Sequence, residues 1–265
     1  MVSWFSSLAH PLQALIATIF TWGVTAAGAA FVFFFKHIHK NVLDSMLGLS
    51  AGVMIAASFW SLLLPASQMC ENIGISPFFT LISGFILGGG VLFAGDRIFS
   101  AISDKKGGVL SEKKRSMMLI FSITLHNIPE GLCVGVAFGS LAYGLDGATL
   151  ASASLLALGI GLQNFPEGTA VSVPLRREGF SRGKAFFWGQ ISGIVEPIAG
   201  VLGAFLVIGA RKLLPFLLAF AAGAMIYVVV EELIPESQSN EKKDLMALFT
   251  LFGFSLMMLL DMIFS

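Results

Sequence analysis

Eight stretches of this chain run for eighteen to thirty residues with at most one charged side chain each. They are 11–35, 45–70, 72–95, 116–145, 147–175, 185–210, 213–230 and 245–265. A helix needs about 20 apolar residues to cross the hydrocarbon core of a bilayer. Lipid offers the backbone no hydrogen-bond partners, so such stretches must be helical. The expected fold is therefore an all-α polytopic membrane protein, one transmembrane domain over residues 1–265 with eight transmembrane helices. Charged residues make up 12% of the chain, about half of what soluble domains carry, too few to clothe a water-facing surface.

The charges that remain are polarised. Of the sixteen Lys and Arg residues, only Arg211 and Lys212 fall in loops on one side. The other fourteen lie in the alternate loops, among them Lys36, Lys40, Arg97, Lys105, Lys113, Arg176, Lys184 and Lys242. The basic side of a membrane protein faces the cytoplasm, which puts both termini on the non-cytoplasmic side and favours an even number of spans. A cell (inner) membrane is the expected location. The N-terminus lacks a basic n-region, so the first run reads as a mature helix and not as a cleaved signal. Net charge is zero, and nothing suggests a nucleic-acid partner. Cys70 and Cys133 are too few for a disulfide framework.

Parts of the sequence recur. His126-Asn-Ile-Pro-Glu-Gly131 returns as Gln163-Asn-Phe-Pro-Glu-Gly168, and Ala51-Gly-Val-Met-Ile55 as Ala222-Gly-Ala-Met-Ile226. Each of the latter two is followed by Pro-x-Ser, at Pro65 and Pro235, and Asp96-Arg-Ile-Phe-Ser100 returns as Asp261-Met-Ile-Phe-Ser265. These matches relate span 4 to span 5, 2 to 7 and 3 to 8, each pair running antiparallel. That is inverted-repeat symmetry, with helices 1–3 related to 6–8 and helix 4 to helix 5. Such repeats are a transporter device that places the substrate near the membrane midplane.

The chemistry is concentrated in Glu130, Glu167 and Glu196, one in each of spans 4, 5 and 6. An ionised carboxylate at the bilayer centre costs about 2.5–3.5 kcal/mol, so three cost roughly 8–10 kcal/mol if uncompensated. No Lys or Arg lies within any of the eight runs. Either the carboxylates hold protons or a cation compensates them. Their neighbours favour a cation. His126, Asn127 and Glu130 point in directions of about 0°, 100° and 40° on a helix, and Gln163, Asn164 and Glu167 repeat the pattern on an antiparallel one. Imidazole, carboxylate and amide oxygen suit Zn, Fe, Mn or Co better than Ca or Mg. Pro129, Pro166 and Pro197 each remove a backbone N–H and are expected to break or kink their helices. The residues alone leave open a proton-coupled carrier of another solute and an intramembrane metalloenzyme.

His126-Asn-Ile-Pro-Glu-Gly131, Gln163-Asn-Phe-Pro-Glu-Gly168 and Gly189-Gln-Ile-Ser-Gly-Ile-Val-Glu-Pro197 resemble the signatures of helices 4, 5 and 6 in the ZIP (Zrt/Irt-like) metal-ion transporters, in their GufA-like branch. The resemblance covers nearly the whole chain. It implies a secondary transporter, not an enzyme, that moves zinc or another divalent transition metal (cadmium, iron, manganese) into the cytoplasm. The metal is bound as substrate, with no prosthetic cofactor. It implies a binuclear site: Met54, His126, Glu130, Gln163 and Glu167 at one position, and Asn127, Asn164 and Glu196 at a second, with Glu130 and Glu167 as bridges. Many members have His at the position of Gln163 and some have Asp at that of Asn164, so both departures weaken the site here. Glu231 and Glu232 have two readings, a metal exit or water-facing helix-end acids. His37 and His39 read as a solvated loop pair. Besides the metal ion, the expected partner is the bilayer, with a homodimer kept open.

Overall fold

The structure, a computed structural model, describes residues 2–34, 39–104, 112–144, 148–177, 179–209 and 211–264. Within these, the side chains at 2, 3, 99–104, 112–119, 121, 122, 125, 126, 177, 208, 209, 211 and 264 lie outside the description. The described residues contain helices and no strand. After a short turn of helix (Val2–Ser6) come eight long elements: α1 (His10–Phe34), α2 (Lys40–Ile73), α3 (Pro77–Asp104), α4 (Glu112–Ser140), α5 (Leu150–Arg177), α6 (Arg182–Val207), α7 (Leu214–Gln238) and α8 (Lys243–Phe264).

Six helices, α1, α2, α3, α6, α7 and α8, are long and apolar enough to cross a membrane. At 29 and 28 residues, α4 and α5 would each reach more than 40 Å at ~1.5 Å per residue. They are less apolar because their ends are charged and their middles carry the polar motifs. The outer surface is apolar, with Ile86 on α3, Phe205 on α6 and Leu251 on α8 each at least 60% exposed, as lipid-facing positions require.

Local sequence sets the breaks. The boundary expected at Glu71 falls instead at Gly74, which has a φ of 67° and donates its N–H to the last carbonyls of α2. A left-handed cap of this kind favours glycine, and Pro77 then starts α3, where its missing N–H matters least. Ser181 caps α6 by accepting from the N–H of Lys184 at 3.3 Å. The prolines behave differently from expectation. Pro129 and Pro166 lie inside helices that run on without interruption, because one lost hydrogen bond leaves the flanking bonds to carry the helix. Of the three helices that carry Pro129, Pro166 and Pro197, only α6 changes its winding, with a 3-10 turn at Ser192–Ile194 just before Glu196 and Pro197. Two irregularities were not expected. Ala57–Leu63 in α2 and Val229–Leu233 in α7 wind as π-helix, and each ends two residues before a proline, Pro65 or Pro235.

The helices pair by glycine. α1 packs along α5, α4 along α6, α2 along α8 and α3 along α7. Gly28 lies on the backbone of Phe165 and Gly168 on that of Thr25; Gly131 lies on Glu196 and Gly135 on Gly200. Gly52 lies on Thr250 and Gly253 on Leu49; Gly88 lies on Phe220 and Gly223 on Phe85. A Cβ at any of these positions would collide with backbone atoms of the facing helix. Without a strong hydrophobic drive between helices in lipid, close backbone packing of this kind holds them together. Further contacts of α1 with α6 and of α4 with α5 join four helices into one bundle, α1, α4, α5 and α6. The remaining four, α2, α3, α7 and α8, form the other.

Candidate metal centre

The first bundle buries the polar motifs. Asn127, Glu130, Gln163, Asn164, Glu167 and Glu196 are all at most 6% exposed. The backbone contact of Gly131 with Glu196 sets α4 against α6, so that Glu130 and Glu196 come within electrostatic reach of each other and of Glu167. No basic side chain among the described residues acts on any of the three. The three carboxylates, set 37 and 29 positions apart in the sequence, thus share one low-dielectric region.

The amides are oriented in one sense. Gln163 Nε2 donates to Glu130 Oε1 at 2.6 Å. Asn164 Nδ2 donates to both oxygens of Glu196, at 2.9 Å each. Asn127 Nδ2 donates to the carbonyl of Ser192 at 2.9 Å, within the 3-10 turn of α6. An amide has donors at one end and an acceptor at the other, and a carboxylate or carbonyl can accept only from the donor end. Each carbonyl oxygen is therefore left over. Asn127 Oδ1, Gln163 Oε1, Asn164 Oδ1 and Glu130 Oε2 are buried with no hydrogen-bond partner among the described residues. Unmet buried acceptors are rare and costly in folded proteins. Four in two adjoining helices, all oxygen, suit a cation and no anion.

Glu196 differs from Glu130. Besides Asn164, its Oε2 accepts from Thr21 Oγ1 at 2.5 Å, and Thr25 Oγ1 stands 3.4 Å from Oε1. Both threonines belong to α1. The sequence reading missed them, although Gln13, Thr18, Thr21 and Thr25 recur at three- to five-residue spacing in an otherwise apolar run and all four are buried. Trp22 is a further contact that was missed: its Nε1 donates to the carbonyl of Gln190 at 2.8 Å, at the turn before the 3-10 segment.

The other expected residues fall as follows. Met54 is fully buried on α2, one turn along from Ser50, whose hydroxyl donates to the carbonyl of Gln163 at 3.3 Å. His126 lies in α4, with its side chain outside the described residues. Glu231 is exposed, whereas Glu232 is half-buried in the π-helical segment of α7 and its charge reaches Glu167. His39 is exposed at the start of α2 and His37 lies outside the described residues. Asp96 hydrogen-bonds with Tyr227, and Asp261 accepts from Ser61 at 2.9 Å. Asp261, Ser61, Gln68, Ser140 and Ser152 line a cavity of about 270 Å³ among the ends of α2, α4, α5 and α8. Among the described residues, no three His, Cys, Asp or Glu side chains gather closely enough to form a ready-made metal cluster. The candidate site is a mixed carboxylate and amide one.

Comparison with known proteins bears on the same residues. The family model "ZIP Zinc transporter" matches residues 99–261, which include α4, α5 and α6. The chain is 40% identical to Zinc transporter ZIP11 of Homo sapiens over 94% of its own length and 96% of that protein's. It is 32% identical to Zinc transporter GufA of Myxococcus xanthus over 94% and 97% of the two chains, and 34% identical to Zinc transporter ZIPB of Bordetella bronchiseptica over 95% and 81%. With its paired Asn-x-Pro-Glu-Gly helices buried against a third carboxylate, this chain belongs to the ZIP zinc transporter family.

Proposed function

We propose that this chain carries divalent transition-metal ions, zinc foremost, across the cell membrane into the cytoplasm, and that the ion is held between α4 and α5. Glu130, Gln163 and Glu167 are its first ligands, with His126 and Met54 beside them and Asn127, Asn164 and Glu196 completing the wall. The observation that carries this reading is the set of buried carboxylates with no basic partner among the described residues, next to four buried oxygens likewise unpartnered there. A bound divalent ion offsets both deficits at once, removing much of the roughly 8–10 kcal/mol that three buried charges cost. The names of the relatives support zinc as the cargo. Iron, manganese and cadmium are further cargoes that a mixed N/O/S donor set accepts.

In this reading all eight long helices span the bilayer and the two halves are related by an inverted repeat. The pairing of helices supports it, since exchanging 1–3 with 6–8 and 4 with 5 turns the α1–α5 pair into α6–α4 and the α2–α8 pair into α7–α3. The π-helical segments before Pro65 and Pro235 support it too. With the loops rich in Lys and Arg read as cytoplasmic, the cavity at Asp261 is on the outer side, as an entrance, and Glu232 is on the cytoplasmic side of Glu167, as an exit. Alternating access then comes from one bundle moving against the other.

The test is metal-resolved uptake by purified protein in liposomes. Wild type should accumulate zinc, and Glu167→Ala should lose at least nine-tenths of the rate while inserting normally. Equal uptake by the two proteins refutes the site.

A further inference from the structure

Glu130 and Glu196 are both buried carboxylates, but the structure treats them differently. Glu130 has one oxygen bonded to Gln163 and one with no partner among the described residues. Glu196 has neither oxygen free: Asn164 reaches both, Thr21 reaches Oε2 at 2.5 Å, and Thr25 stands near Oε1. Thr21 has a single hydroxyl proton, and its approach to Glu196 is shorter than its 3.0 Å approach to the carbonyl of Thr18. The proton therefore goes to the carboxylate. Gly193 leaves room for this knot, since a Cβ there would stand 3.0 Å from Glu196 Oε1 and 3.2 Å from Thr25 Oγ1. Oriented donors from α1 and α5 solvate Glu196 in place of an ion.

We infer that this transporter holds one metal ion and not two, and that Glu196, tied by Thr21 and Asn164, is a positioning residue that aims Asn164 at the ion and is not itself a ligand. The inference rests on the metal site proposed above and fixes its stoichiometry. Two features support it. If Asn164 and Glu196 were to share a metal, the amide would have to turn its oxygen toward the ion and withdraw its N–H groups from the carboxylate. With the knot in place, Asn164 Oδ1 faces away from Glu196 and is already unpartnered, ready for an ion on the α4–α5 side. Charge balance agrees. Once hydrogen bonds satisfy Glu196, Glu130 and Glu167 supply two negative charges, which match one divalent cation; a second ion would leave four positive charges against three carboxylates. An uncompensated charge at membrane depth is expensive.

The decisive measurement is the number of zinc ions per chain, obtained by equilibrium dialysis of chelator-stripped, full-length protein against zinc with metal analysis at saturation. Wild type should bind one. Glu196→Gln should also bind one, on the order of tenfold more weakly, the equivalent of one hydrogen bond to a charged group. Asn164→Asp, which restores a second unmatched carboxylate, should bind two. Thr21→Val should keep one ion and weaken it by a similar factor, and Thr21→Ser, which keeps the hydroxyl, should bind as wild type does. Two ions in wild type, falling to one in Glu196→Gln, would overturn the inference while leaving the metal site standing. No zinc at all in wild type would overturn the metal site, and this inference with it.

Discussion

Replacing Glu130 with Gln should make the metal-free protein more stable and at the same time take away most of its stabilisation by zinc. The first half follows from burial. Glu130 is fully buried and no basic side chain among the described residues acts on it. Where the carboxylate is ionised, removing its charge relieves up to about 2.5–3.5 kcal/mol on insertion scales. Against that, its bond from Gln163, 2.6 Å long, changes from charge-assisted to neutral, a loss of about 1–1.5 kcal/mol. The metal-free variant should thus gain about 1–2 kcal/mol. The second half follows from mass action. Zinc at 100 times its dissociation constant stabilises wild type by about 2.7 kcal/mol; if losing a carboxylate ligand weakens binding 100-fold, the same zinc gives about 0.4 kcal/mol. For a chain of this size those figures correspond to shifts of roughly 5–10 °C and about 1 °C. Thermal unfolding in lipid nanodiscs, with chelator and with zinc, reads both. A variant that zinc stabilises as much as wild type would refute Glu130 as a ligand. A metal-free variant markedly less stable than wild type would mean that the carboxylate is a structural group and not a waiting ligand.

Other perturbations probe the same physics. Carboxylates and imidazole must give up their protons to bind metal, so initial zinc uptake at fixed zinc should fall steadily as the outer pH is lowered from 7.5 to 5.5, and a flat profile would contradict a carboxylate site. Gly131→Ala puts a Cβ 2.6 Å from Glu196 Cα, roughly 1 Å inside normal contact, and should cost more than tenfold in uptake or prevent accumulation of the protein; Gly90→Ala, with no atom within 4 Å of the new Cβ, should behave as wild type in the same assay. Met54→Leu keeps the volume and removes the soft sulfur, so cadmium uptake should drop several-fold relative to zinc in a competition assay.

Much of this architecture could be read from sequence because lipid punishes exceptions. Uncharged runs must be helices, and most helix ends fall within about five residues of the ends of those runs, whereas α3 and α7 continue eight or nine residues past theirs, to Asp104 and Gln238. The three glutamates stood out because nothing in their runs could neutralise them. What was not legible depended on direction. The sequence says that Asn164 and Glu196 lie in neighbouring helices, but not that the amide turns its N–H groups to the carboxylate, which decides whether the pair holds an ion or holds itself. Thr21 and Thr25 were passed over because threonine in a membrane helix usually bonds its own backbone, as Thr18 does with Ala14 at 2.7 Å. Nor does a proline announce its effect: Pro129 and Pro166 leave their helices unbroken, whereas Pro65 and Pro235 follow π-helical segments. The outcome depends on the facing helix, which a single sequence does not display.

The glycine contacts show where the molecule is stiff and where it can slide. Backbone-to-backbone packing occurs inside each bundle: Gly28, Gly131, Gly135 and Gly168 in the one, Gly52, Gly88, Gly223 and Gly253 in the other. Between the bundles the close glycine contact is of another kind. Gly159 of α5 faces the Met257 thioether and a methyl of Val53, flexible and apolar side chains that can change partners without leaving a polar group unsatisfied. A helix locked onto backbone cannot shift without opening voids or colliding, whereas a surface of methionine and valine adapts to several registers. Nearly all the proposed ligands lie on α4, α5 and α6 within one bundle, and Met54 alone comes from the other. An ion held by Glu130, Gln163 and Glu167 can thus travel with its bundle and keep its main ligands, giving up the Met54 sulfur contact and the Ser50 hydroxyl's bond to the carbonyl of Gln163 on the way. A site divided evenly across the sliding surface would have to lose half its ligands at every step, at a cost that no transport cycle at ordinary rates could meet.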